Sequence, residues 1–395
     1  MTTTAEAVRA HRGPALFSYG FRPFFMFSAV WAAVAVAIWI AALLVGDGTV
    51  AGMDGLAWHK HEMLFGYLPG VIAGFLLTAT PNWTGRLPIT GWPLALLFGL
   101  WAAGRTAGVL PDLPDVVRGV VQAAFPLVFA GVVWREVLAG RNLKNVPICV
   151  MLTLLAGAEV AFHLARVVPS LGTAPERAAL AVGAGLIALI GGRIIPSFTR
   201  NWTAAHGIPR GPAPFGRLDA AALAAAAAGL TAWTAAPDVA LAGGLLCLAG
   251  VLALVRLSRW RGWRTGPEPL VWILHLGYAW LGIGLLLIGG SVLAPGLVPR
   301  TAGIHALTAG AIGVMILAVM TRASLGHTGR PRVADRATLA VYLAVNAAAV
   351  LRVAAPFAGE AQLPLLAGSA TLWCAAYGGF ALAYGPMLCR PRVGA

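Results

Sequence analysis

The sequence predicts an all-α membrane protein that crosses the bilayer about twelve times. Of its 395 residues, 59% are hydrophobic and only 11% are charged, and the mean hydropathy is +0.81. A globular domain has roughly 45–50% apolar and about 25% charged residues. Apolar runs separated by short polar loops recur along the whole chain. These observations predict a single integral membrane domain over residues 1–395.

The individual spans follow from apolar runs of roughly 18–25 residues, the length that crosses the hydrocarbon core. We place them near residues 24–45, 61–80, 92–110, 119–138, 147–167, 178–198, 219–236, 238–255, 269–293, 302–321, 337–356 and 364–388. The turn around Pro237, between spans seven and eight, is the weakest boundary. No small-residue cleavage site follows the first run, so we expect that span to be retained.

Lysine and arginine set the expected orientation. With the N-terminus in the cytoplasm, 21 of the 28 basic residues lie in cytoplasmic segments and 7 on the other side. The positive-inside rule therefore favours two cytoplasmic termini, which requires an even number of spans. The formal charge of +14 is explained by these short loops, so we expect no nucleic-acid partner.

Three spans end in loosely similar sequences, which is a weak sign of an internal repeat. Spans two, six and ten each end in a polar segment that contains threonine, at residues 78–85, 195–203 and 320–329. These spans are four apart along the chain. A repeat at this spacing would divide the protein into three four-helix units.

Six of the eight histidines are associated with predicted spans, where a polar side chain is costly and usually functional. The outer group consists of His59, His61, His163 and His305, and the inner group of His275 and His327. Imidazole is the commonest metal ligand and also an axial ligand of haem iron. We predict that at least two of the six bind metal or haem, with the outer group as the metal ligands. A hydrogen bond between helices is the ordinary alternative for any one of them.

His59 and His61 stand two positions apart where span two begins. On a helix such residues point about 200° apart, so a helical segment would direct them to two different metals. An extended segment would let them bind the same ion. The sequence alone leaves both arrangements open.

Two carboxylates accompany these histidines. Glu159 precedes His163 by four residues, so both lie on one face of span five, and Glu62 adjoins His61. Each carboxylate could orient an imidazole, bind metal or carry protons. A plain hydrogen bond between helices is the alternative for both.

Three arginines lie at the inner ends of spans six and ten: Arg193, Arg200 and Arg322. Positive-inside topology alone would explain them. Arg193 differs because it stands before its apolar run has ended and therefore needs an anion. A haem propionate would match the planar fork of its guanidinium.

Longer motifs resemble the NnrS family from residue 17 to about residue 390. They are residues 21–25 (FRPFF), 58–66 (WHKHEMLFG), 81–85 (PNWTG), 193–201 (RIIPSFTRN), 305–313 (HALTAGAIG) and 321–330 (TRASLGHTGR). The resemblance implies a multi-pass protein of the bacterial inner membrane that contains haem and copper. It also implies a link to nitric oxide metabolism, denitrification and nitrosative stress. The chain has no c-type attachment motif, so any haem would be noncovalent. Haem b and copper are the cofactors that we expect.

The leading hypothesis is reduction of nitric oxide to nitrous oxide, with electrons from quinol or another membrane donor and with Glu62 and Glu159 as catalytic proton carriers. Twelve spans in a loose threefold arrangement would also resemble the haem–copper oxidases, at the level of architecture alone. Two alternatives stay open. One is binding of nitric oxide or metal without turnover, as protection against nitrosative stress, and the other is transport of copper or a small anion. The sequence leaves the oligomeric state open.

Overall fold

Twelve long helices provide nearly all of the secondary structure in residues 11–394, the part of the chain that this computed structural model describes. They are α1 (Phe21–Leu44), α2 (Gly55–Thr84), α3 (Trp92–Val109), α4 (Asp115–Ala139), α5 (Leu143–Leu164), α6 (Pro169–Ala205), α7 (Arg217–Ala235), α8 (Ala240–Ser258), α9 (Pro269–Leu293), α10 (Arg300–His327), α11 (Arg336–Phe357) and α12 (Gly359–Cys389). A short antiparallel hairpin of β1 (Thr49–Val50) and β2 (Met53–Asp54) precedes α2.

Eleven of these helices are long and apolar enough to cross a membrane. The remaining one, α3, has 18 residues and is less apolar because Arg105 lies within it. A helix rises about 1.5 Å per residue, so the 24 residues of α1 extend about 36 Å and exceed the thickness of the hydrocarbon core. The predicted all-α polytopic membrane protein is confirmed.

Local signals at the helix ends agree with these bounds. The side chain of Asp54 accepts a hydrogen bond of 2.7 Å from the backbone N–H of Ala57 and so caps the start of α2. Gly85 ends the same helix in the left-handed region, with φ at 70°. Helix α2 therefore runs four residues beyond the predicted span. Likewise α10 extends to His327, which the sequence placed just outside span ten.

Three of the helices in residues 11–394 contain a π-helical segment, in which the chain carries an extra residue per turn. The segments are Glu62–Tyr67 in α2, Ile187–Gly191 in α6 and Ala306–Gly313 in α10. These are the same three helices whose ends resemble one another in sequence. π-Helical segments often occur at functional sites. The division into three four-helix units stays a prediction, as does the single domain.

Contacts within the chain divide it into two compact units. The first consists of the chain up to Val182, Ala323–Pro331 and the segment from Tyr377 onward, and the second of Gly183–Arg322 and Arg332–Ala376. In the first unit, Arg22 on α1 donates from Nη1 to the carbonyls of Leu388 at 2.8 Å and Arg390 at 2.6 Å. These bonds join the beginning of α1 to the end of α12.

In the second unit, a buried ion pair joins α7 to α8. Arg256 Nε is 2.9 Å from Asp219 Oδ1, and Arg256 Nη1 donates to the carbonyl of Ala188 at 3.0 Å. Ala188 lies in the π-helical segment of α6. A buried charge is tolerated in an apolar bundle when it is paired in this way.

Four arginines counted above as loop charges are buried inside the protein: Arg22, Arg105, Arg118 and Arg256. Two of them stood on the side assigned to the cytoplasm and two on the other. Without them, the basic residues divide 19 against 5. The orientation with both termini in the cytoplasm therefore stays the favoured prediction.

Candidate metal centre

Four of the predicted side chains form one buried cluster in the first unit. His61 and Glu62 lie on α2, where it enters its π-helical segment, and Glu159 and His163 lie on α5. His61 Nδ1 is 2.9 Å from Glu62 Oε1, and His61 Nε2 is 3.1 Å from Glu159 Oε1. His163 Nε2 is 3.7 Å from the same Glu159 oxygen, beyond hydrogen-bond length. Neither carboxylate has exposed surface.

The helix geometry explains how these residues meet. Glu159 and His163 are four residues apart, so both face the same neighbour. Close approach to the cluster also requires small residues on α3 and α4. A Cβ atom at Gly119 would lie 3.1 Å from Cγ of His163, and one at Gly108 would lie 2.6 Å from Oε1 of Glu62. Larger residues at these two positions would push the cluster apart.

Glu62 also receives hydrogen bonds from three neighbouring helices. Arg105 on α3 donates from Nη1 to Oε2, and Trp31 on α1 donates to the same oxygen at 2.9 Å. Gln122 on α4 donates to Oε1 at 3.3 Å. A carboxylate without exposed surface needs such partners because burial removes its hydration.

Two atoms of the cluster lack a hydrogen-bond partner in the part of the chain that the structure describes. They are Glu159 Oε2 and His163 Nε2, and both are buried. Nearly all buried polar atoms in proteins are satisfied, so each of these two atoms can still accept a ligand, an ion or a water molecule. Both atoms are of the kinds that bind metal ions.

His61, Glu159 and His163 together fit a metal ion. Each offers one ligand atom, and these atoms lie within 4.8 Å of one another. A carboxylate can only accept a hydrogen bond, so the contact between His61 Nε2 and Glu159 needs a proton on that nitrogen. A metal ion would replace that proton. Proteins use two imidazoles and one carboxylate for zinc and non-haem iron, and imidazole also suits copper.

A haem does not fit the same cluster. The ring of His61 lies 5.2 Å from Phe162, 5.7 Å from Phe65 and 5.2 Å from His163, measured between ring centroids. Both nitrogens of His61 face carboxylate oxygens. An axial haem ligand needs an open, flat space beside its nitrogen, and these packed side chains occupy it.

Two other predicted histidines of the first unit lie outside the cluster. His59 stacks on Trp39, with ring centroids 5.5 Å apart. Because α2 is helical here, His59 and His61 point in different directions and do not share one ion. His327 packs against the rings of Tyr19 and Phe21, each 5.5 Å away.

The remaining two predicted histidines belong to the second unit. His275 on α9 is buried, with Nδ1 3.1 Å from the carbonyl of Val271 and Nε2 3.2 Å from Oγ1 of Thr199. His305 on α10 has Nδ1 2.8 Å from the carbonyl of Thr301. Binding of haem or metal by His59, His275, His305 and His327 stays a prediction.

The three predicted propionate anchors have ordinary surroundings. Arg193 and Arg200 on α6 are exposed. The guanidinium of Arg322 lies over the ring of Phe198, 4.1 Å from its centroid, as a cation–π contact. Their role toward a haem stays a prediction.

Arg105 belongs to the candidate site although the sequence pattern did not single it out. It was counted as a loop charge, whereas it is 5% exposed and paired with Glu62. The signal was available, because Arg105 interrupts the apolar run of span three, and an arginine within a span needs an anion. Gln122, a polar side chain within span four, was a weaker signal of the same kind, whereas Trp31 gave none because tryptophan is common in membrane helices.

Comparison with known proteins identifies the family. A family model described as NnrS protein matches residues 15–392. The match covers nearly the whole chain, so the chain belongs to the NnrS family. A search of curated proteins finds no match to this sequence. Membership of this family fits a membrane protein that is related to nitric oxide and holds haem or metal.

Proposed function

We propose that this member of the NnrS family reduces nitric oxide to nitrous oxide in the bacterial inner membrane, at a metal centre held by His61, Glu159 and His163. One observation carries the proposal. Two imidazoles and a carboxylate meet inside a membrane protein, and two of their ligand atoms, Glu159 Oε2 and His163 Nε2, are buried without a hydrogen-bond partner in residues 11–394. Polar groups so placed are costly and usually functional.

The proposed reaction is balanced with a quinol as the electron donor. Two nitric oxide molecules, two electrons and two protons give one nitrous oxide and one water, and oxidation of one quinol to quinone supplies the electrons and protons. A redox metal ion bound at the centre would polarise nitric oxide and deliver electrons to it. Copper is the metal that we propose from the family resemblance. Haem b is proposed on the same ground, without assigned ligands.

The protein residues would do the remaining work. His61 and His163 would hold the ion through ring nitrogens, and Glu159 would contribute one carboxylate oxygen. That oxygen would be Oε2, which is buried and without a hydrogen-bond partner among the described residues. The other oxygen, Oε1, faces His61 Nε2 at 3.1 Å and would be able to receive and pass on a proton once the metal replaces the proton of that nitrogen. The apolar helices around the cluster would limit access of water to the reacting gas.

Purified protein in detergent tests the proposal directly. We expect the wild-type protein to contain redox metal and to convert nitric oxide to nitrous oxide when a soluble quinol is supplied. Glu159→Ala and His163→Ala should lose both the metal of this centre and the activity. Glu136→Gln is the matched control, because Glu136 is a buried carboxylate on α4 that pairs with Arg86 instead.

Other outcomes would replace the proposal by a different function. Binding of nitric oxide without nitrous oxide formation would indicate a protective protein. Wild-type protein without metal or haem, combined with flux of copper or an anion across vesicles, would indicate a transporter. Full activity in Glu159→Ala and His163→Ala would place the chemistry outside this cluster.

A further inference from the structure

Both carboxylate oxygens of Glu62 already accept as many hydrogen bonds as they can. Oε1 faces His61 Nδ1 at 2.9 Å and Gln122 Nε2 at 3.3 Å. Oε2 faces Arg105 Nη1 and Trp31 Nε1. A carboxylate offers about four lone-pair positions, so these four donors leave none for a further partner. Glu62 is therefore poorly suited to the role of proton carrier that the sequence suggested.

The arrangement instead fixes the orientation of one imidazole. The bond to Glu62 requires a proton on Nδ1 of His61, because a carboxylate only accepts. Nε2 is then the nitrogen directed at Glu159 and at the proposed metal position. Histidines that bind metals generally donate their other ring nitrogen to a carboxylate or carbonyl in this manner. His61 and Glu62 are adjacent on α2, so the carboxylate stays beside the imidazole when the helix moves.

Arg105 holds Glu62 in place. Its guanidinium lies against Gly66, where a Cβ atom would overlap Nη1 and would lie 2.8 Å from Glu62 Oε2. Arg105 also balances the charge of Glu62, which leaves Glu159 as the carboxylate of the cluster whose charge is not balanced by an arginine hydrogen bond. A divalent or monovalent metal cation would meet that remaining charge.

We propose that Glu62 and Arg105 are positioning residues of the metal centre: Glu62 fixes the ring of His61 so that Nε2 faces the ion, and Arg105 fixes Glu62. The inference rests on the proposed function, because it needs a metal ion at His61, Glu159 and His163. It assigns Glu62 no contact with the ion or with nitric oxide. Its role is to set how tightly and in what geometry the ion is held.

The test compares variants by metal binding and spectroscopy. Metal-free protein in detergent is titrated separately with copper and with ferrous iron, and X-ray absorption and EPR spectra are recorded for the loaded forms. Glu62→Gln keeps the size of the side chain but replaces one acceptor oxygen by an NH₂ group, which then faces hydrogen-bond donors. We expect its metal affinity to fall about 10- to 100-fold and the spectra to show altered imidazole coordination.

Arg105→Lys provides a second variant should Glu62→Gln fail to fold. It keeps the positive charge but loses the planar fork, so we expect a smaller loss of affinity with the same kind of spectral change. Glu136→Gln is again the matched control and should bind metal as the wild type does. Activity is measured across pH in each variant that binds metal.

Three results would overturn the inference. Wild-type affinity and spectra in both Glu62→Gln and Arg105→Lys would show that neither residue positions His61. Unchanged metal binding with a lost limb of the pH profile in Glu62→Gln would show instead that Glu62 carries protons. Equal metal binding by wild type and His163→Ala would remove the proposed centre itself, and with it this inference, whereas the first two results leave the centre standing.

Discussion

Replacing Arg105 by methionine should destabilise the protein more than loss of any exposed ion pair. Methionine fills much of the same space but removes the cation that contacts Oε2 of Glu62. Glu62 has no exposed surface and Arg105 is 5% exposed, so water cannot take the place of the guanidinium. Removal of one partner from a buried ion pair costs about 3–5 kcal/mol.

The structure favours the lower end of that range. Trp31 and Gln122 still donate to Glu62 in the variant, so we expect a loss of about 3 kcal/mol, which is roughly a 100-fold change in the ratio of folded to unfolded protein. The double variant with Glu62→Gln removes both charges and should recover most of that loss. The free energy of unfolding is measured by denaturant titration in mixed micelles, with helicity followed by circular dichroism.

Arg86→Met is the control for this experiment. Arg86 also pairs with a carboxylate, Glu136, but its side chain is 43% exposed, so its loss should cost at most about 1 kcal/mol. A cost below about 1 kcal/mol for Arg105→Met, or a double variant no more stable than the single one, would refute the reasoning.

Three further predictions concern the centre, its packing and a helix end. His163→Ala should lower the metal content of the purified protein at least about tenfold, whereas the loop variant His206→Ala should keep it; equal contents, measured by mass spectrometry, would contradict this. Gly66→Ala should lower the midpoint of thermal unfolding because its methyl group overlaps the neighbouring guanidinium, whereas Gly99→Ala, with nothing within 4 Å, should raise it slightly. Asp335→Ala should cost about 1 kcal/mol near neutral pH, because Asp335 caps α11. Hydrogen bonds from the first turn lower the pKa of Asp335 below its ordinary value of 3.8, so its contribution is present above that value and is lost as the pH falls through the lowered pKa. A difference between wild type and this variant that persists in strong acid would contradict the assignment.

Most of the fold was predictable because a bilayer imposes a length on each helix. Apolar runs alone located all twelve helices, with errors of up to nine residues at the ends. Those errors have a physical cause, because a helix ends at a backbone signal and not where its apolar run ends. In α2, for example, that signal is Gly85 in the left-handed region.

The centre was predictable only in part. His61, Glu62, Glu159 and His163 drew attention because polar groups are rare in apolar helices, and the spacing of the last two placed them on one face. Which helices would face one another is a property of tertiary packing, which no local pattern encodes. Arg105 and Glu62 are 43 positions apart in the sequence, so no local pattern indicates that they pair.

The π-helical segment of α2 lets the helix hold one extra residue without turning its two parts against each other. An ideal helix turns about 100° per residue, so deletion of one residue elsewhere in α2 would rotate the part that bears His61 by about that angle relative to the part from Leu68 onward. Deletion of one residue within Glu62–Tyr67 would instead let the helix close to a regular geometry with both parts near their present orientation. Gain or loss of one codon is therefore tolerated better in this segment than in the turns on either side of it.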